Sequence, residues 1–126
     1  MQQTMPRTTI AIAAIFGLIS VIAGAAGTHA LRDTLEASSL STFETAARFQ
    51  MYHALALLAV GILSMRWQTR ILTASAALFT LGILLFSGSL YMLALTGIGI
   101  FGAIAPIGGI SLMAAWASLA LAALRR

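Results

Sequence analysis

Residues 71–95 read ILTASAALFTLGILLFSGSLYMLAL, a run without one charged side chain. At a helical rise of about 1.5 Å per residue it is long enough to cross the roughly 30 Å hydrocarbon core of a bilayer. Three further apolar runs are each about long enough to do the same: Thr8 to Ala30, Ala47 to Met65 and Pro106 to Leu124. None alternates polar and apolar positions as a barrel strand would, and in lipid each backbone polar group must be satisfied within its own segment. The expected architecture is therefore all-α, an integral membrane four-helix bundle. Its helices are expected at about 8–30, 42–65, 71–95 and 106–124, with one polar connection at about 31–41 and a single transmembrane domain over 1–126. With hydrophobic residues at 60%, charged residues at 8% and mean hydropathy at +1.00, a soluble fold is excluded.

The net charge of +4 comes from placement at the ends of these runs, not from a basic face. Arg7, Arg66, Arg70, Arg125 and Arg126 fall on one side, and Arg32 and Arg48 on the other beside Asp33, Glu36 and Glu44. The positive-inside rule then puts both termini and the second connection in the cytoplasm. Nucleic acid is not an expected partner, because no basic patch interleaved with aromatics is present. The absence of cysteine removes disulfides, thiolate metal sites and cysteine nucleophiles together. Arg7, the first apolar run and the small residues Ala23 to Gly27 also resemble a cleavable leader. A retained first helix is the expectation, since its apolar stretch exceeds a usual leader core and its loss would put the termini on opposite sides.

Two seams of small residues suggest how the helices meet. Ala13, Gly17, Ser20, Gly24 and Gly27 share one face of the first helix, and Gly108, Ser111, Ala115, Ser118 and Ala122 one face of the fourth. Such seams allow close backbone approach in lipid, so the first and fourth helices are expected to pack seam to seam, or else to form a homodimer interface. Between the first two helices, Ser41-Thr42-Phe43-Glu44 has the form of a capping box. Glu44 and Arg48 follow at i and i+4 in the favourable order. Pro106 is expected to open the fourth helix, after a flexible connection built on Gly97, Gly99 and Gly102.

The polar residues collect toward one leaflet: His29, Gln50, Tyr52, His53, Ser87, Ser89 and Tyr91 form a candidate pocket in the non-cytoplasmic half. His53 is the sharpest of them, because an ionisable group inside an apolar run usually faces the bundle interior and marks a site. Gln50, three residues earlier, could fix its tautomer. The competing reading makes the same residues interhelical hydrogen-bonding groups. His29 and His53 could in principle ligate haem or one metal ion. Two histidines without carboxylate or cysteine companions define no site, so no cofactor is expected. A Ser87 nucleophile with a His53 base can be drawn, but no oriented third group accompanies it, and an enzyme is not expected. Tyr52, Tyr91 and Trp67 suit an interfacial aromatic belt, and Trp116 suits packing.

Four segments carry a resemblance. They are Gly24-Ala25-Ala26-Gly27-Thr28-His29-Ala30-Leu31, Thr45-Ala46-Ala47-Arg48-Phe49-Gln50-Met51-Tyr52-His53-Ala54-Leu55-Ala56, Gly82-Ile83-Leu84-Leu85-Phe86-Ser87-Gly88-Ser89-Leu90-Tyr91 and Pro106-Ile107-Gly108-Gly109. Together they resemble the YgdD/YwdK-like family of small bacterial inner-membrane proteins, a domain-of-unknown-function family with a related eukaryotic transmembrane branch. The chain departs from the family pattern at Ala105 and Ala115, where a threonine and a glycine are usual. The resemblance implies a multi-pass, four-helix protein of the bacterial inner membrane and no particular activity or cofactor. The expected role is that of an accessory, scaffold or assembly protein in contact with the lipid bilayer and with a membrane-protein partner or a second copy. The alternative is a small-molecule, lipid, quinone or proton site in the polar cluster.

Overall fold

The computed structural model describes residues 4–125, so Arg126 lies outside the described residues. Four helices follow one another: α1 (Thr4–Thr28), α2 (Ala37–Leu63), α3 (Arg70–Thr96) and α4 (Ile100–Leu124). Each is long and apolar enough to cross a membrane. The expected all-α membrane bundle is thus the fold observed. Its helices pack in chain order, α1 on α2, α2 on α3 and α3 on α4. Two ends result. The loop end carries residues 29–36 and 97–99, and the arginine end carries the start of α1, residues 64–69 and the end of α4.

The core lies along α2 and α3, where Leu57, Val60, Leu72 and Phe79 are fully enclosed with Ala115 of α4. Around it the outward faces are apolar too. Leu18, Val21, Ile22, Leu84, Ile110 and Met113 are exposed, the pattern of a surface solvated by lipid.

The connections explain the pairing. Gly97 takes the left-handed conformation (φ 70°, ψ 8°), and its N–H bonds the Leu93 carbonyl at 2.8 Å. That conformation is free to glycine and closes α3 in a C-cap. Only Gly97, Ile98 and Gly99 separate the helices, so α4 must fold straight back along α3. The expected long glycine connection is therefore replaced by a tight turn, and Pro106 sits inside α4 instead of opening it. A transmembrane helix continues through a proline where neighbouring groups or a local adjustment of the backbone re-satisfy the carbonyl it frees.

The expected pairing of α1 with α4 is overturned: the seam of α4 packs on α3 and that of α1 on α2. Gly108 presses on the backbone of Phe86, and a methyl group there would collide with it. At Gly82 a Cβ would meet the Leu112 side chain at 2.5 Å. Gly17 and Gly24 have open space where a Cβ would go, so on α1 only Ala13, Ser20 and Gly27 are buried on the seam. The start of α2 also differs. Glu36 is its N-cap, Ser41 and Glu44 lie inside the helix with no capping box, and Arg48 reaches the Thr45 hydroxyl (3.4 Å) instead of Glu44.

Gly108→Ala is expected to lower stability by about 2 kcal/mol or more, the cost of overpacking a tight contact. Gly24→Ala should stay within about 1 kcal/mol of the parent, in the stabilising direction. Detergent-induced unfolding in mixed micelles measures both, and equal effects would contradict the pairing described.

Candidate functional site

In lipid a side-chain amide or hydroxyl must find its partner inside the bundle. Gln50, at the middle of α2 and 3% exposed, finds two. Its Nε2 donates to the Phe16 carbonyl of α1 at 2.8 Å, and its Oε1 accepts from the Tyr91 hydroxyl of α3 at 2.7 Å. A carbonyl only accepts, so the amide orientation is fixed by its partners. One side chain thereby joins three helices. The Tyr91 ring is held from the other side by Phe43, edge to face at 5.0 Å.

Serines repeat the device at each interface. Ser20 of α1 donates to the Ala47 carbonyl of α2 (2.6 Å), and Ser87 of α3 to the adjoining Ala46 carbonyl (2.8 Å). Ser75 of α3 donates to the Ala115 carbonyl of α4 (2.9 Å), while Ser111 of α4 returns a bond to the Leu78 carbonyl of α3 (2.9 Å). Helical carbonyls keep a second lone pair after their own ladder bond, so they accept these hydroxyls without losing a turn. A tie of this kind contributes about 0.6 kcal/mol on average and up to about 1.7. Ser118 makes none, since its hydroxyl turns back to its own Ala114 carbonyl.

His53 stands apart from this network. Its Nδ1 lies 2.6 Å from the Phe49 carbonyl one turn earlier, and because that oxygen only accepts, Nδ1 carries the proton. Phe49, Phe79 and Trp116 surround the ring, each with a centroid 6.0 Å away. Nε2 makes no hydrogen bond among the described residues. The ring sits sixteen residues into α2, about 24 Å along the axis from its start. That places it past the middle of the helix, farther from the loop end than Gln50.

The structure therefore gathers Gln50, Ser87 and Ser20 around backbone carbonyls and joins Tyr91 to them through the Gln50 side chain. Tyr52 is 52% exposed on the outer face of α2, its ring tilted against that of Phe49. His29 follows α1 in the exposed loop, and Ser89 is buried on a face of α3 apart from the Ser87 bond. Among the described residues no cluster of three histidine, aspartate or glutamate side chains could hold a metal ion. Sequence reading missed Ser75 and Gly82. With Ser89 they recur every seven residues on α3, a small-residue seam that marks a further face open to close approach.

A family model described as protein of unknown function, DUF423, matches residues 23–109. A UPF0382 membrane protein of Staphylococcus saprophyticus is 44% identical over 115 residues, covering 91% of this chain and 95% of its own. A second, from Staphylococcus haemolyticus, is 44% identical over 110 residues, with 87% and 89% covered. The UPF0382 inner membrane protein YgdD of Escherichia coli K12 is 36% identical over 119 residues, with 94% and 91% covered. No solved structure matches the chain.

A double-mutant cycle between Gln50→Leu and Tyr91→Phe, read by unfolding in mixed micelles, should give a coupling of about 0.6 to 1.7 kcal/mol. Additive effects would show that the bond contributes nothing. Tyr52→Phe should change stability by less than about 0.5 kcal/mol, as an exposed substitution does.

Proposed function

This chain belongs to the DUF423 family, and from that premise we propose that it is a non-enzymatic accessory or scaffold protein of the bacterial inner membrane. The single observation that carries the reading is that most of its buried polar groups are committed, Ser89 and the Nε2 of His53 being the exceptions among the described residues. Thr9, Ser20, Gln50, Ser64, Ser75, Ser87 and Ser111 all direct their hydrogen bonds to groups of the bundle itself. Catalysis needs a nucleophile or base with a free atom facing a cavity, and the Ser87 hydroxyl is instead used against the Ala46 carbonyl. The exposed apolar faces would meet lipid and a membrane-protein partner or a second copy.

A second reading rests on one specific observation, the Nε2 of His53, which has no hydrogen-bond partner among the described residues and lies beside Phe79 and Trp116. A lone pair in that setting suits a proton or a small ligand. Native mass spectrometry of the protein, gently extracted from its own membrane, tests both readings. The scaffold reading expects the chain with lipids, or a stable homo- or hetero-oligomer, unchanged in His53→Ala. A stoichiometric non-lipid small molecule that disappears in His53→Ala would overturn it.

The arginine end would face the cytoplasm under the same proposal, with Arg7, Arg66, Arg70 and Arg125 at that end. The chain has no cysteine of its own, so single replacements report sidedness directly. In intact cells a membrane-impermeant maleimide should label Thr34→Cys, in the exposed loop, and leave Gln68→Cys unlabelled until the membrane is opened. The reverse pattern would invert the topology.

A further inference from the structure

We propose that the arginine end of the bundle holds one anionic phospholipid, with its headgroup against Arg70 and one acyl chain in the groove between α1 and α3. Two cavities carry the inference, and neither is lined by the side chains that hydrogen-bond from one helix to another. The first, about 330 Å³, lies between the start of α1 and the connection to α3, lined by Met5, Pro6, Trp67, Gln68, Arg70 and Thr73 among others. The second, about 360 Å³, runs up the membrane-facing side between α1 and α3 past Thr9, Ile12, Ala77, Thr80, Leu81 and Leu84. Met5 and Thr73 line both, so the polar niche opens into the apolar groove.

The groove exists because α1 is held by α2 and not by α3. At the arginine end α1 presses on Gly61 of α2, where a Cβ would meet Ile10 at 2.8 Å, and its other side faces α3 across the groove. Three threonines line it, yet its surface is apolar. The hydroxyl of Thr9 points to the Met5 sulfur, that of Thr73 to the Thr69 carbonyl and that of Thr80 to the Ala76 carbonyl. Each turns back along its own helix, so methyl groups remain as the lining. From Thr73 to Leu84 the groove extends about 16 Å by helix rise. That is about half of the roughly 30 Å hydrocarbon core, the depth of one leaflet.

The niche supplies the matching charge. The Arg70 guanidinium has no partner among the described residues, and neither has the exposed side chain of Gln68. Arg7, Arg66 and Arg125 stand at the same end, whereas Asp33, Glu36 and Glu44 all lie toward the loop end. A guanidinium suits a phosphodiester through paired N–H donors, and Trp67 sits where an indole borders the headgroup layer. A free anion would use the niche and leave the groove unexplained. A phospholipid uses both.

The test is retention of lipid by the full-length protein in nanodiscs and in native mass spectrometry, with phosphatidylglycerol against phosphatidylcholine of equal chain length. The wild type should retain one phosphatidylglycerol at least fivefold over phosphatidylcholine, the preference one basic residue gives at an anionic surface. Arg70→Gln should erase that preference. Ala77→Trp, which fills the groove from an exposed position, should lower retention of both lipids, and Arg125→Gln should change neither. Circular dichroism and unfolding midpoints confirm that each variant folds. Equal retention of the two lipids, loss of preference equally in Arg125→Gln, or full displacement of phosphatidylglycerol by glycerol phosphate would overturn the proposal. So would a wild-type dimer that Ala77→Trp splits, because the groove would then hold a second copy.

Discussion

Gln50 occupies the position on which the bundle depends. Its amide is buried at the middle of α2, where water cannot reach it, and both of its polar ends are satisfied by other helices, through the Phe16 carbonyl and the Tyr91 hydroxyl. An amide left unpaired in hydrocarbon costs several kcal/mol, so α2 is stable in the membrane only when α1 and α3 stand at the right distance and register. The hydrophobic effect cannot do this, because lipid tails are as apolar as the helix faces. Directional bonds set the register of α1, α2 and α3, and close contacts at Gly61 between α1 and α2 and at Gly82 and Gly108 between α3 and α4 accompany them.

The serine ties extend the same constraint across the bundle. Ala46 and Ala47 are adjacent residues that accept from opposite neighbours, Ser87 of α3 and Ser20 of α1. Small side chains at those positions expose the carbonyls to a hydroxyl from the next helix. A larger residue would cover its own backbone and hold the neighbour away. The α3–α4 interface is reciprocal, with a serine donating in each direction, and Phe79 and Trp116 close it edge to face at 5.2 Å. Most of the buried hydroxyls and the Gln50 amide are thus tied to the bundle, while among the described residues Ser89 and the Nε2 of His53 make no hydrogen bond.

Much of this was legible in the sequence, for a physical reason: four apolar runs of bilayer length can only be helices in lipid. The seam of α4 was legible too, but its partner was not. Small residues report that something approaches closely and do not say what. The partner was set by the three-residue turn at Gly97, whose shortness was hidden by the glycines and the proline that follow it. Pro106 reads as a helix start by the rules of water and lies within a helix in lipid. The capping motif at Ser41 misled in the same way, since α2 begins at Glu36 with no side-chain cap. Gln50, Ser87 and Tyr91 were recognisable as interior polar residues, yet whether they faced a ligand or a carbonyl depended on distances that spacing along one helix does not encode.

The most direct measurement of the central claim is the infrared stretch of a single isotope-labelled carbonyl at Phe16, compared between the wild type and Gln50→Met. Methionine keeps an unbranched side chain of similar length and removes the donor. If the amide of Gln50 ties α2 to α1, the labelled band moves to higher frequency in the variant, as a carbonyl does when it loses its second hydrogen bond. An unchanged band would contradict the account, because the Phe16 carbonyl would then accept only from its own helix.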